Sequence, residues 1–351
     1  VAIGGRLNND AGTNAGHTRI YKYISNTWTQ LGSDIDGDAQ TVSGTSVSLS
    51  GDGTRVVIGS PGVGAAPYNR GRVRIFEYSI GSWTQLGGDI DGEAEGDISG
   101  ISVSISSDGT TVAIGATGND GNGLSSGHAR VFSYSGTSWN QLGNDINGEA
   151  SADFFGNSVS LSGDGTILAV GATGNDGNGS AAGHVRVFKY TNGSWAQQGD
   201  DIEGDEAGAQ SGKSVDLSND GTVVSIGSPH NDNGGTSSGN SRVFRFKNNT
   251  WNQLGQGIPG EGANNRVGNG GTSVVITNDI VYQVVGASGS NNFRGSARIF
   301  KFSLLNSTNN LLLDDLQPLI VGPNGSANAN SQMILSDGDT SIFRFQSTEP
   351  V

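Results

Sequence analysis

The sequence predicts an all-β fold, a β-propeller of four-stranded antiparallel blades, counted first as seven blades with six as the alternative. Three observations predict it. The five tryptophans of the chain, Trp28, Trp83, Trp139, Trp195 and Trp251, recur at intervals of 55, 56, 56 and 56 residues. A period of that size marks an array of supersecondary units. Each interval then holds the same succession of short apolar runs and Gly/Asp turns, with no helical periodicity of useful length. Finally, a lone sheet of this kind could not bury both faces, whereas neighbours packed around an axis can, and they also protect the strand edges.

The clearest unit is Phe155 to Gly199. Ser158 to Ser162 alternates, with Val159 and Leu161 on one face and serines on the other, which reads as a strand. Gly163-Asp164-Gly165 offers the positive φ angles of a tight hairpin. Ile167 to Val170 is apolar on both faces and reads as a strand covered on both sides. After the Gly/Asn-rich loop from Gly174 to Gly183, the third strand, His184 to Tyr190, interleaves β-branched and aromatic residues with Arg186 and Lys189. A short fourth strand carries Trp195.

This pattern resembles the FG-GAP repeat of integrin α-subunit propellers. Phe155-Gly156 opens the first strand, Gly171-Ala172-Thr173 closes the second, and Gly183 precedes a V-x-V-F third strand. The GAP position reads Gly59-Ser60-Pro61, Gly115-Ala116-Thr117, Gly227-Ser228-Pro229 and Gly286-Ala287-Ser288 elsewhere. The FG position reads Ser43-Gly44, Ser99-Gly100 and Ser211-Gly212. The resemblance spans about residues 1–303. It implies an extracellular or cell-surface β-propeller and does not imply an enzyme.

Taken in order, residues 1–34 supply the second, third and fourth strands of a first blade, and VAIGG enters the repeat in mid-blade. That entry, and Val1 in place of an initiator Met, suggest a processed or partial chain. Blades follow at about 42–87, 98–143, 154–199, 210–255 and 267–312, the last with Ser307 where Trp is expected. In the segment 313–351, Leu319 to Pro323 resembles a GAP strand and Ser341 to Gln346 a third strand, which suggests a divergent seventh blade. The alternative lends Ser331 to Ser336 to blade one and closes a ring of six. The whole is one domain.

With 59 glycines in 351 residues and 33% hydrophobic content, the composition suits thin sheets meeting through Val, Ile, Ala and Trp. Strict phasing of the apolar runs argues against disorder. The absence of cysteine excludes a disulfide framework. No apolar stretch approaches the roughly 20 residues of a membrane-spanning helix, and no signal peptide is visible. A net charge of −14 makes nucleic acid a poor partner. Thirteen of the 19 bases lie in or beside third strands, and sixteen acids crowd the four linkers between Asp34 and Glu206, so one rim should be strongly negative.

Those linkers are the sharpest chemical candidates. Asp89, Asp91, Glu93 and Asp97 fall at relative positions 1, 3, 5 and 9, and Asp145, Asn147, Glu149 and Asp153 repeat the spacing. Asp34, Asp36 and Asp38, and Asp201, Glu203 and Asp205, keep positions 1, 3 and 5. Hard oxygen ligands so spaced suit Ca2+. Solvated turns whose Asp side chains satisfy backbone amides are the competing role. The calcium motif of the resembled family has Gly at position 6 and sits in the hairpin that this chain shortens to Gly-Asp-Gly. Here Gly is at position 4.

His17, His128 and His184 share one repeat position, so they lie too far apart to bind one metal jointly, and a structural hydrogen bond is expected of each. The Asn-Asp-Gly-Asn-Gly loops at 119–123 and 175–179 read as turns. Departures from the repeat include two aromatic-plus-Arg insertions, Tyr68 with Arg70 and Phe293 with Arg294, suited to sugar stacking or a protein contact, or else to ordinary loop drift. Asn178, Asn192, Asn248, Asn306 and Asn324 match the N-glycosylation pattern. No blade-unique nucleophile and base, or pair of carboxylates, stands out. The expected function is therefore non-enzymatic: adhesion, or a building block of a surface coat or appendage, with other proteins, further copies or glycans as partners. A lectin-like module is the second reading, and a polysaccharide-degrading enzyme the third.

Overall fold

The computed structural model describes residues 1–62, 69–277, 279–289 and 295–303. Along them run six antiparallel sheets, the blades of an all-β propeller. In blade four the first strand is Phe155–Leu161, the second Ile167–Ala172, the third His184–Thr191 and the fourth Ser194–Gln197. They pair in sequence order. Blades two, three and five repeat this arrangement with first strands Ser46–Leu49, Ser102–Ile105 and Ser214–Leu217. Blade one enters at its second strand, Ala2–Gly4, and blade six comprises Val267–Thr277, Ile280–Ala287 and Ser296–Ser303.

Two expectations need correction. Among the described residues the blades number six, the alternative count, rather than the seven counted first. The seventh blade was inferred from two short runs within 313–351, a segment outside the described residues. The six sheets of the described residues account for every copy of the repeat within them. The second correction concerns strand number. The linkers expected as rim loops fold back as two-residue strands, such as Ile90–Asp91 and Ile202–Glu203, that pair with the start of the third strand. The cause is burial of one isoleucine in each: Ile35, Ile90, Ile146, Ile202 and Ile258 are all buried. Removing an Ile side chain from water is worth about 1.5–3 kcal/mol, enough to pin a polar linker to the sheet.

The apolar cores lie between blades. One cluster joins Ala113, Ala129 and Val131 of blade three to Phe155, Val159 and Leu168 of blade four. Others repeat this between blades two and three and between four and five. Polar locks accompany them. The indole Nε1 of Trp83, Trp139, Trp195 and Trp251 donates to the backbone carbonyl of Leu31, Leu86, Leu142 and Gln198 respectively, each in the preceding blade and each at 2.8 Å. Along the inner strands, Ser104 Oγ accepts the N–H of Leu161, and Ser160 Oγ that of Leu217.

The structure also explains the FG and GAP glycines. A Cβ on Gly171 would stand 2.1 Å from the carbonyl oxygen of Gly212 in the next blade, and Gly115 faces Gly156 in the same way at 2.0 Å. The two motifs are the two sides of one backbone contact, which excludes any side chain. In the inner hairpins only the second glycine, Gly165 in blade four, has a positive φ, of 69°. The turn is held by Asp164, whose Oδ1 accepts Ser162 Oγ at 2.6 Å and the Thr166 N–H at 3.0 Å. Burial alone would raise the pKa of Asp164, but these hydrogen bonds together lower it. The hairpins meet one another: Ser107 N–H donates to Gly163 O, and Gly163 N–H to Asn219 O, both at 2.8 Å.

Candidate functional site

The chemistry of the chain gathers where a linker of one blade meets the third strand of the next. Arg19, Arg74, Arg130, Arg186, Arg242 and Arg298 occupy one position of the third strand in all six blades. From blade two onward, each pairs with the acid at position 5 of the preceding linker. Arg74 contacts Asp38 at 2.8 Å, Arg130 contacts Glu93 at 3.6 Å, Arg186 contacts Glu149 at 3.4 Å, and Arg298 contacts Glu261 at 3.5 Å. Arg242 pairs with Asp205. Arg130, Arg186, Arg242 and Arg298 also donate to the carbonyls of Asp91, Asn147, Glu203 and Pro259 in those linkers. The acid-rich rim is therefore threaded with guanidinium groups rather than bare. Burial lowers the pKa of Arg186 and Arg242 without discharging them at neutral pH.

Beside each of these arginines lies the position held by the histidines. His128 and His184 are each 1% exposed, and neither ring nitrogen of either has a hydrogen-bond partner. Nδ1 of His184 faces Asp201 Oδ2 at 3.4 Å, and Nδ1 of His128 faces Glu93 Oε2 at 3.8 Å and Asp145 Oδ2 at 4.0 Å. Three groups thus bring a histidine and two carboxylates within 4.8 Å: His17 with Asp34 and Asp36, His128 with Glu93 and Asp145, and His184 with Glu149 and Asp201. Burial, and then Arg130, push the pKa of His128 down to about 4, so its imidazole is neutral at pH 7. The facing imidazole of His184 holds Asp201 below its usual value, while burial raises Glu203 beside it.

The acids singled out by spacing do not converge as single-linker sets of three. Asp89 contacts Arg74 and Arg72, each at 3.0 Å, and Asp91 contacts Arg72 at 2.7 Å. Asp97 Oδ2 accepts the N–H groups of Glu93 and Ala94, and Asp153 Oδ2 those of Glu149 and Ala150. Asn147 lies on a two-residue strand, paired with His128. In blades three and four the fold brings together the position-5 acid of one linker and the position-1 acid of the next, with a histidine between; in blade one His17 meets positions 1 and 3 of one linker. Sequence reasoning missed this grouping because it asked whether the histidines could meet each other. The available signal was the interval of 17 residues that separates His17 from Asp34, His128 from Asp145 and His184 from Asp201.

Of the insertion residues, Arg70 is exposed at the end of its loop, whereas Tyr68, Phe293 and Arg294 lie outside the described residues. Among the glycosylation matches, Asn192 and Asn248 sit exposed in outer hairpins with φ of 53° and 54°. Asn178 donates its amide to Gly204 O at 2.7 Å. Asn306 and Asn324 lie outside the described residues. Two polar clefts open between blades. One, of about 440 Å³, is lined by Asp34, Asp36, Arg74 and Trp83; the other, of about 470 Å³, by Asp205, Asn240, Arg242 and Gln253. Among the described residues no helix is long and apolar enough to cross a membrane.

Residues 147–188 match the FG-GAP repeat family. No curated protein matches the chain. Similar solved structures include a candidate 6-phosphogluconolactonase from Bacteroides uniformis, at 14% identity over 92% of this chain and 96% of that one with a TM-score of 0.47. The β-propeller domain of the Trilobed protease from Pyrococcus furiosus is 9% identical over 90% and 78%, at 0.45. An acylaminoacyl peptidase from Pyrococcus horikoshii is 10% identical over 82% of this chain and 40% of that one, also at 0.45. Likeness at this level carries no statement about activity. The matched segment, Asn147 to Phe188, holds the first two strands of blade four and the start of the third, consistent with an FG-GAP repeat set in a β-propeller of antiparallel blades.

Proposed function

We propose that the chain is a non-enzymatic extracellular propeller that serves adhesion or forms a structural unit of a cell-surface coat or appendage. The observation that carries this reading is the fivefold repetition of the Arg–acid lock between blades, accompanied at four interfaces by the indole lock. Such repetition makes a stiff scaffold and distributes polar groups evenly, which suits broad contacts with proteins, further copies or glycans. In this reading Asn192 and Asn248, exposed in outer hairpins, are placed to carry glycans. Light scattering together with retention on immobilised polysaccharide or cell-surface extract tests it. Self-association or retention supports the reading. A monomer retained on nothing refutes it.

A lectin-like module is the second reading, favoured by the clefts between blades. The one at Trp83 sets an aromatic face beside Asp36 and Arg74, the combination that stacks on and hydrogen-bonds a sugar ring. A glycan array separates the two readings, since the lectin reading requires binding that is lost in Trp83→Ala.

A further inference from the structure

We propose that blades three and four each hold a divalent first-row transition ion, of the zinc class, between a buried histidine and carboxylates from two successive linkers. The sites are His184 with Glu149 and Asp201, and His128 with Glu93 and Asp145.

Three observations carry this. The first is the pair of imidazoles. His128 and His184 are almost wholly buried, their Nδ1 atoms have no hydrogen-bond partner, and those atoms face the carboxylates. An orphaned polar group in such a place calls for a ligand.

The second is distance. A hydrogen bond from Nδ1 to a carboxylate would close to about 2.7–2.9 Å. Two ligands of one tetrahedral zinc, each at 2.0–2.1 Å, stand about 3.3 Å apart. His184 Nδ1 and Asp201 Oδ2 are 3.4 Å apart, whereas His128 Nδ1 stands 3.8 and 4.0 Å from its two acids, so the zinc-like separation is that of blade four. The spare oxygens are already oriented: Gln197 and Gln141 donate to Oδ1 of Asp201 and Asp145, which leaves Oδ2 toward the ring. Support of this kind is usual behind metal ligands.

The third is the comparison among blades. In blade two the histidine position is Arg72, and its guanidinium lies 3.0 Å from Asp89, 2.7 Å from Asp91 and 3.6 Å from Asp38. There the protein supplies its own cation to the same acids. In blade five the position is Asn240, and the residue 17 further on is Gly257, so the acid is gone with the histidine. In blade one, Arg19 lies 2.8 Å from the very Asp34 oxygen that His17 faces and fills the site. Blades three and four keep the histidine and both acids; there Arg130 and Arg186 touch the position-5 acids Glu93 and Glu149, at 3.6 and 3.4 Å, while Asp145 and Asp201 face the imidazole. Blade four is the stronger site, because its imidazole stands closer to the position-1 acid, at 3.4 Å against 4.0 Å in blade three. One imidazole nitrogen with two or three carboxylate oxygens favours zinc, cobalt or manganese over calcium, which prefers six to eight oxygens.

The test uses the untagged full chain, stripped with chelator, dialysed against zinc and assayed by atomic emission. Retention of about two zinc ions per chain, one per buried histidine, is expected. His184→Arg copies blade two, so it should fold with an unchanged circular-dichroism spectrum and retain one ion fewer. Cobalt(II) should give a visible d–d absorption that falls by about half in His184→Arg. No retained zinc, or zinc content indifferent to His184→Arg in a folded chain, overturns the proposal, as does calcium bound at these positions equally well and independently of the histidine.

Discussion

The interface between blades three and four and that between blades five and six meet the same requirement by opposite means. At the first, Arg186 lies over Phe155, 4.4 Å from the ring centroid, and Phe155 meets Phe188 edge-on at 6.2 Å, so one cation is wrapped in aromatic faces. At the second, a polar layer runs beside the apolar cluster. Gln283, with no exposed surface, donates to Ser225 Oγ and Ser241 Oγ at 2.6 and 2.7 Å, and Asp216 replaces the serine that stitches inner strands elsewhere. The geometry of the repeat thus tolerates a change of interfacial chemistry, from a cation among aromatic rings to a hydrogen-bonded polar layer.

Arg186→Ala is the severest test of the first interface. It removes the aromatic stacking and the hydrogen bond to Asn147 O, and leaves Glu149 without its partner. A loss of about 3–5 kcal/mol is expected by denaturant unfolding. Gln283→Leu probes the second interface, where it leaves Ser225 and Ser241 without their buried donor at nearly constant volume. A loss of about 1–3 kcal/mol would show that the polar layer is held by hydrogen bonds, whereas no change would show that packing alone suffices.

Asp216→Asn should act in the other direction. Burial raises the pKa of Asp216 from 3.8 to about 6, against the hydrogen bonds from Val274 N–H, Ser273 and Ser160 that favour its charged form. The folded chain therefore holds a proton that the unfolded chain has released between those values. Its contribution falls as pH rises from about 4 to 6, and the penalty is fully present at pH 7. The amide variant should melt higher at pH 7 by the equivalent of about 1–2 kcal/mol, and the difference from the native chain should vanish near pH 4.

The mildest test concerns the indole. Trp195→Phe removes one hydrogen bond to Leu142 O and should cost about 1 kcal/mol. Trp28→Phe should cost less, because Trp28 is 40% exposed.

The strands of a single blade were legible in the sequence because they obey local rules: alternation in Ser158–Ser162, a two-sided apolar run at Ile167–Val170, and Asp164-Gly165 in the turn between them. The FG and GAP motifs were legible as a resemblance, but their cause was not, since Gly171 and Gly212 are 41 residues apart and meet only across an interface. The same holds for the site. The excess of arginine in third strands and of acid in linkers was visible, yet their pairing depends on which linker faces which strand. The return strands were missed because two residues, one of them charged in most copies, carry too short a pattern to be read against the surrounding turns.

The indole bonds point one way along the chain. The donors of Trp83, Trp139, Trp195 and Trp251 all reach back to an earlier blade, and the interblade arginines likewise grip a linker already passed. During synthesis, a blade leaving the ribosome therefore needs nothing that has yet to be translated in order to dock. The wheel can be assembled vectorially, each new spoke fastening onto the one before it.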